Sequence, residues 1–387
     1  MSSSAREYQH THPWINFSFD IRRLDPAVWI QLGQIQAKCD QVSGTPLLPA
    51  VAERLHTLFL AKGVRATTAI EGNTLTEDEV LRLLAGELKL PPSREYLARE
   101  AENIVTATKW LAQRLLEAPT LALSPDDVRQ YNATVLSGLA SEEDAAPGQF
   151  RSHDVRVGPY KGAPAQDVPW LVSRMCDWLN SDWAFPPALK TAAGILKSIV
   201  AHVYVAWIHP FADGNGRTAR LVELHTLMDI GFPSPTLHLL SNHYNQTRTE
   251  YYRFLDISSR TENGLYRFIE YALQGLLDNL DEQIRLIETQ QLEVHWQNYV
   301  YDQFRHKESK VDIRRRRLVL AMGDKAYALA DIRYLTPQLA EAYADKSLKT
   351  LQRDVSELSA MGLLVVDKDG ISANKALMQA FRPVRRG

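Results

Sequence analysis

The chain has 387 residues, enough for two or three domains, since single hydrophobic cores rarely grow past about 250 to 300 residues. Lysine and arginine total 44 against 46 aspartates and glutamates, a formal net charge of -2, which excludes a global field that recruits nucleic acid or anionic lipid. Cys39 and Cys176 stand far apart with no CxxC partner, which argues against a disulfide framework or a structural zinc site. The amino terminus, MSSSAREYQHTHPW, lacks a basic segment followed by an apolar run, and no stretch reaches about eighteen consecutive apolar residues. The expectation is a cytoplasmic protein away from membranes, with both thiols reduced in the core.

From about residue 48 to 286 apolar residues recur at three- and four-residue spacing, which predicts an all-α, bundle-like body. TEDE at Thr76 to Glu79 reads as a capping box, and SPDD at Ser124 sets an N-cap serine, an N1 proline and first-turn acids together. KTAAGILKSIVAHVYVAWI is apolar nearly all round and predicts a central buried helix that delivers the chain to His209. The helical rhythm breaks at FRSHDVRVGPYKGAP, where Val155 and Val157 alternate with polar residues before a Gly-Pro turn, so a short β-hairpin is expected there. Near the carboxy terminus TPQLAEAYAD and SLKTLQRDVSELSAMG are helix-sized, and LLVVDKDGISANKA offers two short strands around a turn. Helix, turn, helix and hairpin is the order of a winged helix, entered through RRRR at Arg314 to Arg317, a run expected to be a solvated helix face.

The densest chemistry is HPFADGNGRTAR, residues 209 to 220. Gly214 and Gly216 around Asn215 suit a tight turn with exposed amides, and the helix that follows, with Gly231 as its C-cap, sets that turn at the positive end of a helix dipole. Such an end takes phosphate. Arg217 and Arg220, three apart, fall on one helix face, where planar guanidinium forks grip phosphate oxygens. Asp213 is a carboxylate suited to Mg²⁺ beside phosphates, and His209 suits a general base at neutral pH. A GxxxxGK[ST] loop is absent, and the glycines do not follow a strand as a dinucleotide fingerprint requires.

HPFADGNGRTAR resembles the Fic family signature, HxFx(D/E)GNGRxxR, at every constrained position. The resemblance implies a Fic helical fold with a short β-hairpin flap, and an enzyme that transfers AMP from ATP to a Ser, Thr or Tyr hydroxyl of a target protein, itself included. It implies His209 as the base, Asp213 as the Mg²⁺ ligand, Gly214, Asn215 and Gly216 as an anion hole, and Arg217 and Arg220 on the phosphates. Thr218 and Ala219 then lie against the nucleotide, and Phe211 anchors the loop in the core. PGQFRSHDVRVG resembles the family's flap, which implies Val155, Arg156, Val157 and Gly158 near the nucleotide and an edge on which the target docks. EYYRFLDISS resembles the segment whose paired tyrosines, here Tyr251 and Tyr252, meet the adenine side; Ser259 stays unassigned.

TTAIEGN, Thr67 to Asn73, resembles the inhibitory motif (S/T)xxxE(G/N) in the amino-terminal position. Glu71 then pairs with Arg220, occupies the place of the γ-phosphate and holds ATP in an unproductive pose; on residue grounds alone, IEGN reads as a helix end with Gly72 at C′. In some relatives the same glutamate is linked to removal of AMP from the target. Relatives that transfer UMP, phosphocholine or phosphate share the signature, and TTAIEGN favours a triphosphate donor and AMP. The expected organisation is an arm over 1–45, a helical region carrying the inhibitory motif over 46–120, the catalytic core over 121–290 and the winged helix over 300–387.

Lys349 and Arg353 fall near the exposed side of the expected recognition helix, with Ser347 as its N-cap, and Asp354 and Glu357 dilute their charge. Protein docking or homodimer formation and DNA binding stand level as roles for this domain. Two functions follow: an autoinhibited protein adenylyltransferase, and a nucleotide-sensing transcriptional regulator acting through the winged helix. The intact His209 favours the enzyme, because a sensor needs the anion hole but not the base.

Overall fold

Lys190–Ile208 is the helix around which the amino-terminal part of the chain is built. It presents apolar residues in every direction, from Ile195 and Leu196 to Val203 and Ile208, and all are buried. It packs against Asn215–Asp229, Val168–Ser181, Pro26–Gly44 and Arg248–Arg260. By length and hydropathy this helix is apolar enough to cross a membrane, but 83% of that stretch is buried within the protein, as in a core helix.

The computed structural model describes residues 6–118, 120–139, 146–181, 183, 189–323 and 325–378. Residues 1–5 of the expected arm and 379–387 of the expected winged helix lie outside the described residues. The chain divides into two compact units, 1–284 and 285–387, and the helix Gly264–Gln303 contributes to both.

Among its described residues, the regular structure of the first unit is helical apart from one hairpin, Arg156–Val157 paired antiparallel with Tyr160–Lys161. Thr76 caps Glu77–Leu84 in a reciprocal capping box with Glu79, and Ser124 caps Pro125–Val135 in another with Asp127. Gly231, with φ +79°, follows the end of Asn215–Asp229 in the left-handed conformation that stops a helix. Residues 26–44, assigned from sequence to an arm, instead form a helix whose Val28, Leu32, Ile35 and Cys39 are part of the main core. Their spacing is helical, and the burial of that stripe is what a loose arm lacks. Both cysteines are buried, and burial pushes each thiol up to about 12, which leaves them inert at neutral pH.

In the second unit Lys310–Ala321, Pro337–Ala342 and Leu348–Ala360 surround a core that includes Leu318, Leu351, Val355 and Leu358. A hairpin, Leu364–Asp367 with Gly370–Ala373, follows, and Tyr327 bridges to Ile371 beside it. Ser347 caps Leu348–Ala360 through the Thr350 amide. The arginine run is a solvated face only in part: Arg317 is exposed, whereas Arg314 and Arg315 turn inward. Arg314 Nε and Arg315 Nε donate to the two carboxylate oxygens of buried Asp354 at 2.8 and 2.9 Å, Tyr343 Oη donates to the same carboxylate at 2.9 Å, and Arg316 stacks on Tyr301. Asp354 therefore does not dilute surface charge; a buried carboxylate must be paired, and it draws two of the arginines inward.

Candidate active site

The central helix ends at Ile208, and His209 leaves it in a left-handed conformation, φ 51° and ψ 62°. A non-glycine residue adopts this backbone only where its surroundings hold it there. The loop that follows is closed on itself: the Asn215 amide donates to the Phe211 carbonyl at 2.8 Å and accepts from the Phe211 N–H at 2.9 Å. Phe211 is buried against Phe150. Gly214, with φ +76°, is the N-cap of Asn215–Asp229, and Asn132 clamps the turn from outside by donating to the Asp213 carbonyl at 2.8 Å. The glycine amides thus stand at a helix N-terminus, facing a cavity of about 610 Å³ that is also lined by His209, Asp213 and Glu71.

The His209 imidazole is held down to about 4, first by burial and also by the charge of Arg151; a hydrogen bond to the Ala206 carbonyl and the charges of Glu71 and Asp213 work the other way. At neutral pH the ring is uncharged and able to take a proton.

Behind the glycine turn both arginines are held by carboxylates. Arg220 Nη2 lies 2.5 Å from Glu71 Oε1 and donates to the Thr67 carbonyl at 2.9 Å, while its Nε donates to Thr67 Oγ at 3.2 Å. Arg217 Nη1 donates to Glu100 Oε1 at 3.1 Å, and Glu100 Oε2 accepts from the Asn73 amide at 2.8 Å. Arg220 Nη1 and Arg217 Nε are buried donors without a hydrogen-bond partner among the described residues. Glu71 follows the end of Pro49–Ala69, whose C-cap is Ile70, so Gly72, with φ +100°, falls one position later than the C′ expected from sequence. The Glu71 carboxylate reaches over the turn so closely that a Cβ on Gly216 would collide with it. Burial works to raise its pKa, but the charge and hydrogen bond of Arg220, with Arg217 and Arg248 beyond, hold it below the ordinary glutamate range.

The remaining expected residues divide. Val157 and Gly158 of the hairpin, Ala219, Tyr251 and Tyr252 line the cavity; Val155 and Arg156 do not. Thr218 is fully buried and its hydroxyl donates back to the Gly214 carbonyl at 2.8 Å, so its side chain stabilises the turn. Tyr251 is a core residue bonded to His202 at 2.9 Å, whereas Tyr252 is 42% exposed. Asp213 stands half-exposed at the cavity, 3.7 Å from Arg217 Nη2, and no group of three potential ligand side chains occurs among the described residues. A single hard carboxylate beside an anion-binding turn fits Mg²⁺ carried mainly by phosphate oxygens and water, not a closed protein cage.

Residues 122–227 match the family model for "Fic/DOC family". That segment of the chain is a match to the Fic domain. It is 32% identical over 208 residues to "Protein adenylyltransferase fic-1" of Caenorhabditis briggsae, covering 53% of this chain and 38% of that protein. It is 26% identical over 262 residues to "Protein adenylyltransferase Fic" of Drosophila ananassae, covering 67% and 48%. The chain thus spans less than half the length of these curated relatives. Among solved structures, a Fic family protein from Desulfovibrio desulfuricans G20 superposes with a TM-score of 0.55 at 20% identity over 88% of this chain and 91% of that one. Fic-1 from C. elegans, residues 134 to 508, does so at 0.55 and 26% identity over 68% and 73%. The fold is the all-α Fic fold with small antiparallel hairpins.

Four residues that shape this site were not legible in the sequence: Asn132, Arg151, His202 and Glu100. Each acts through contacts made across long stretches of chain, and only SPDDVRQYN, which sets Asn132 on a well-capped helix, carried a local signal.

Proposed function

We propose that this chain is a protein adenylyltransferase, moving AMP from ATP to a Ser, Thr or Tyr hydroxyl of a target protein and of itself, and that Glu71 restrains it. The observation that carries this reading is the arrangement of His209, the glycine turn and Glu71 on one cavity, with Arg220 held by Glu71. Neutral His209 takes the proton of the acceptor hydroxyl as that oxygen bonds to the α-phosphorus of ATP. The bond from the α-phosphorus to the bridging oxygen breaks, and pyrophosphate leaves. The amides of Gly214 to Gly216 receive the charge that gathers on the α-phosphate oxygens. Arg217 and Arg220, whose Nε and Nη1 respectively have no partner among the described residues, grip the departing phosphates once their carboxylates are displaced. Asp213 would hold Mg²⁺, which supplies charge neutralisation on the phosphates.

Val157 and Gly158 line the cavity in which the nucleotide would lie, and the exposed first strand, Arg156–Val157, would offer an edge for an extended target segment. The same Glu71 carboxylate, able to orient water, suits removal of AMP as the reverse-direction activity. For the second unit, the order of helices and hairpin supports a winged helix, and the inward pairing of Arg314 and Arg315 with Asp354 favours protein docking or dimerisation over DNA binding.

The test is label transfer from ATP carrying radioactive phosphorus at either the α or the γ position, with Mg²⁺ and the Glu71→Gly variant. Label entering protein from α-labelled ATP alone supports adenylyl transfer. Label entering from γ-labelled ATP, or from neither, refutes it.

A further inference from the structure

Arg151 takes part in none of the proposed catalytic steps, yet its side chain is fully buried and bonds to the backbone that carries His209. Its Nε donates to the His209 carbonyl at 2.7 Å, and its Nη2 to those of Ile208, at 3.3 Å, and Ala163. Nη1 donates to the His153 carbonyl at 2.8 Å, and the Arg151 backbone N–H donates to the Pro210 carbonyl at 3.0 Å. The nearest carboxylate, Asp154, stands 3.9 Å away and is exposed, so carbonyl oxygens do most of the work of solvating this cation.

These carbonyls belong to two groups. Ile208 ends the central helix and His209 and Pro210 lead out of it, where carbonyls lack intrahelical partners and where a cation also complements the helix dipole. His153 and Ala163 flank the hairpin on its two sides. A second tie runs in parallel: Tyr160 Oη, from the hairpin, donates to the Trp207 carbonyl at 2.7 Å. Four consecutive carbonyls, 207 to 210, are therefore satisfied by the hairpin and the residue that leads into it. The junction is close-packed as well, because a Cβ on Gly162 would lie 3.0 Å from both Arg151 Nη2 and His209 Cβ.

We propose that Arg151 is a positioning residue that fastens the left-handed backbone of His209 and both legs of the hairpin to one guanidinium, so that the base and the target-docking edge are held in a fixed mutual geometry. The proposal rests on the adenylyltransferase reading for its kinetic consequence, but the coupling itself is a property of the fold. Five planar donors in one fork do what a lysine ammonium cannot, since Lys keeps the charge but spans fewer carbonyls.

The test uses the full-length Glu71→Gly protein as parent and adds Arg151→Lys. The expected result is a fall in kcat of about 100-fold, the scale of an ångström-sized misplacement of a reacting group, with the KM for ATP unchanged within about twofold. Amide hydrogen exchange over residues 155–162 should speed up in the same variant, and the His209 imidazole signals should shift in nitrogen-15 spectra. Gly162→Ala, which pushes on the guanidinium without unburying a charge, should lower kcat by about tenfold in the same direction and decides the matter if Arg151→Lys does not fold. The proposal is overturned if kcat stays at the parent value, or if kcat and ATP affinity fall together while hairpin exchange and His209 signals stay as in the parent. If the parent itself transfers no AMP, the functional reading fails separately; hairpin exchange and the His209 signals then decide, and their invariance in Arg151→Lys overturns the coupling.

Discussion

Glu71 and Arg220 lie 149 residues apart in the chain and 2.5 Å apart in space, and the carboxylate of the first covers the turn in front of the second. A phosphate approaching Arg220 must displace an oxygen already there. Removing the side chain is expected to raise self-modification by at least about tenfold, the rate equivalent of roughly 1.4 kcal/mol, about the worth of one hydrogen bond to a charged group. Intact mass against time for wild type and Glu71→Gly measures this, and equal rates contradict it.

Glu100 is the second restraint. It holds Arg217 and at the same time the Asn73 amide of the TTAIEGN segment, so the two arginines of the signature are both engaged by acids. Glu100→Gln, placed in the Glu71→Gly protein, should tighten ATP binding by roughly three- to tenfold because a charged competitor for Arg217 becomes neutral. Calorimetric titration with ATP reads the effect, and weaker binding would assign Glu100 to orienting Arg217 instead.

His209→Ala should cost about 10² to 10⁴-fold in transfer while ATP affinity changes little, the usual span for loss of a positioned general base. The pH dependence is equally specific. Burial holds the ring down to about 4, so the acid limb of kcat should fall well below the ordinary histidine range, and removing Glu71, whose charge raises the value, moves the limb no higher. An acid limb near pH 6.5 would show that the ring is solvated.

Stability carries its own pH signature. His238 is buried and held down to about 4, chiefly by burial, while in the unfolded chain it titrates near the ordinary value. The unfolded state therefore binds more protons between about pH 6.5 and 4, and stability is lost as pH falls through that window, by up to about 1.4 kcal/mol per pH unit for each such histidine. His238→Leu should flatten the slope of melting temperature against pH by one proton's worth. An unchanged slope contradicts the buried neutral ring.

In the second unit, Asp354→Ala leaves Arg314 and Arg315, each less than one-fifth exposed, without their carboxylate. Breaking a buried pair from one side should cost about 3 to 5 kcal/mol. Denaturant unfolding followed at Trp296, in the core of this unit, would register the loss, and a change below about 1 kcal/mol would show that water satisfies the arginines.

What the sequence made legible was local. HPFADGNGRTAR announces its turn and its helix because glycine conformation, capping and arginine spacing are all short-range, and the two capping boxes and the hairpin at residues 156–161 follow the same logic. Glu100 and Arg151 were not legible, since one contact spans 117 residues and the other 58, and an isolated glutamate or arginine carries no trace of its partner. Arg314 and Arg315 misled for the same reason: charge alone suggests solvent, and only the distant Asp354 reveals why these two turn inward. Residues 26–44 were hidden for a different cause, a helix whose apolar stripe is diluted by neighbouring polar and small residues.

The most direct measurement of the central claim is the intact mass of the protein after incubation with ATP and Mg²⁺, compared between wild type, Glu71→Gly and Glu71→Gly with His209→Ala. The account predicts an adenylyl-sized increment that is slow in wild type, fast once Glu71 is removed and absent when His209 is removed as well. An increment that persists without His209, or none in the Glu71→Gly protein or on added lysate proteins, would contradict it.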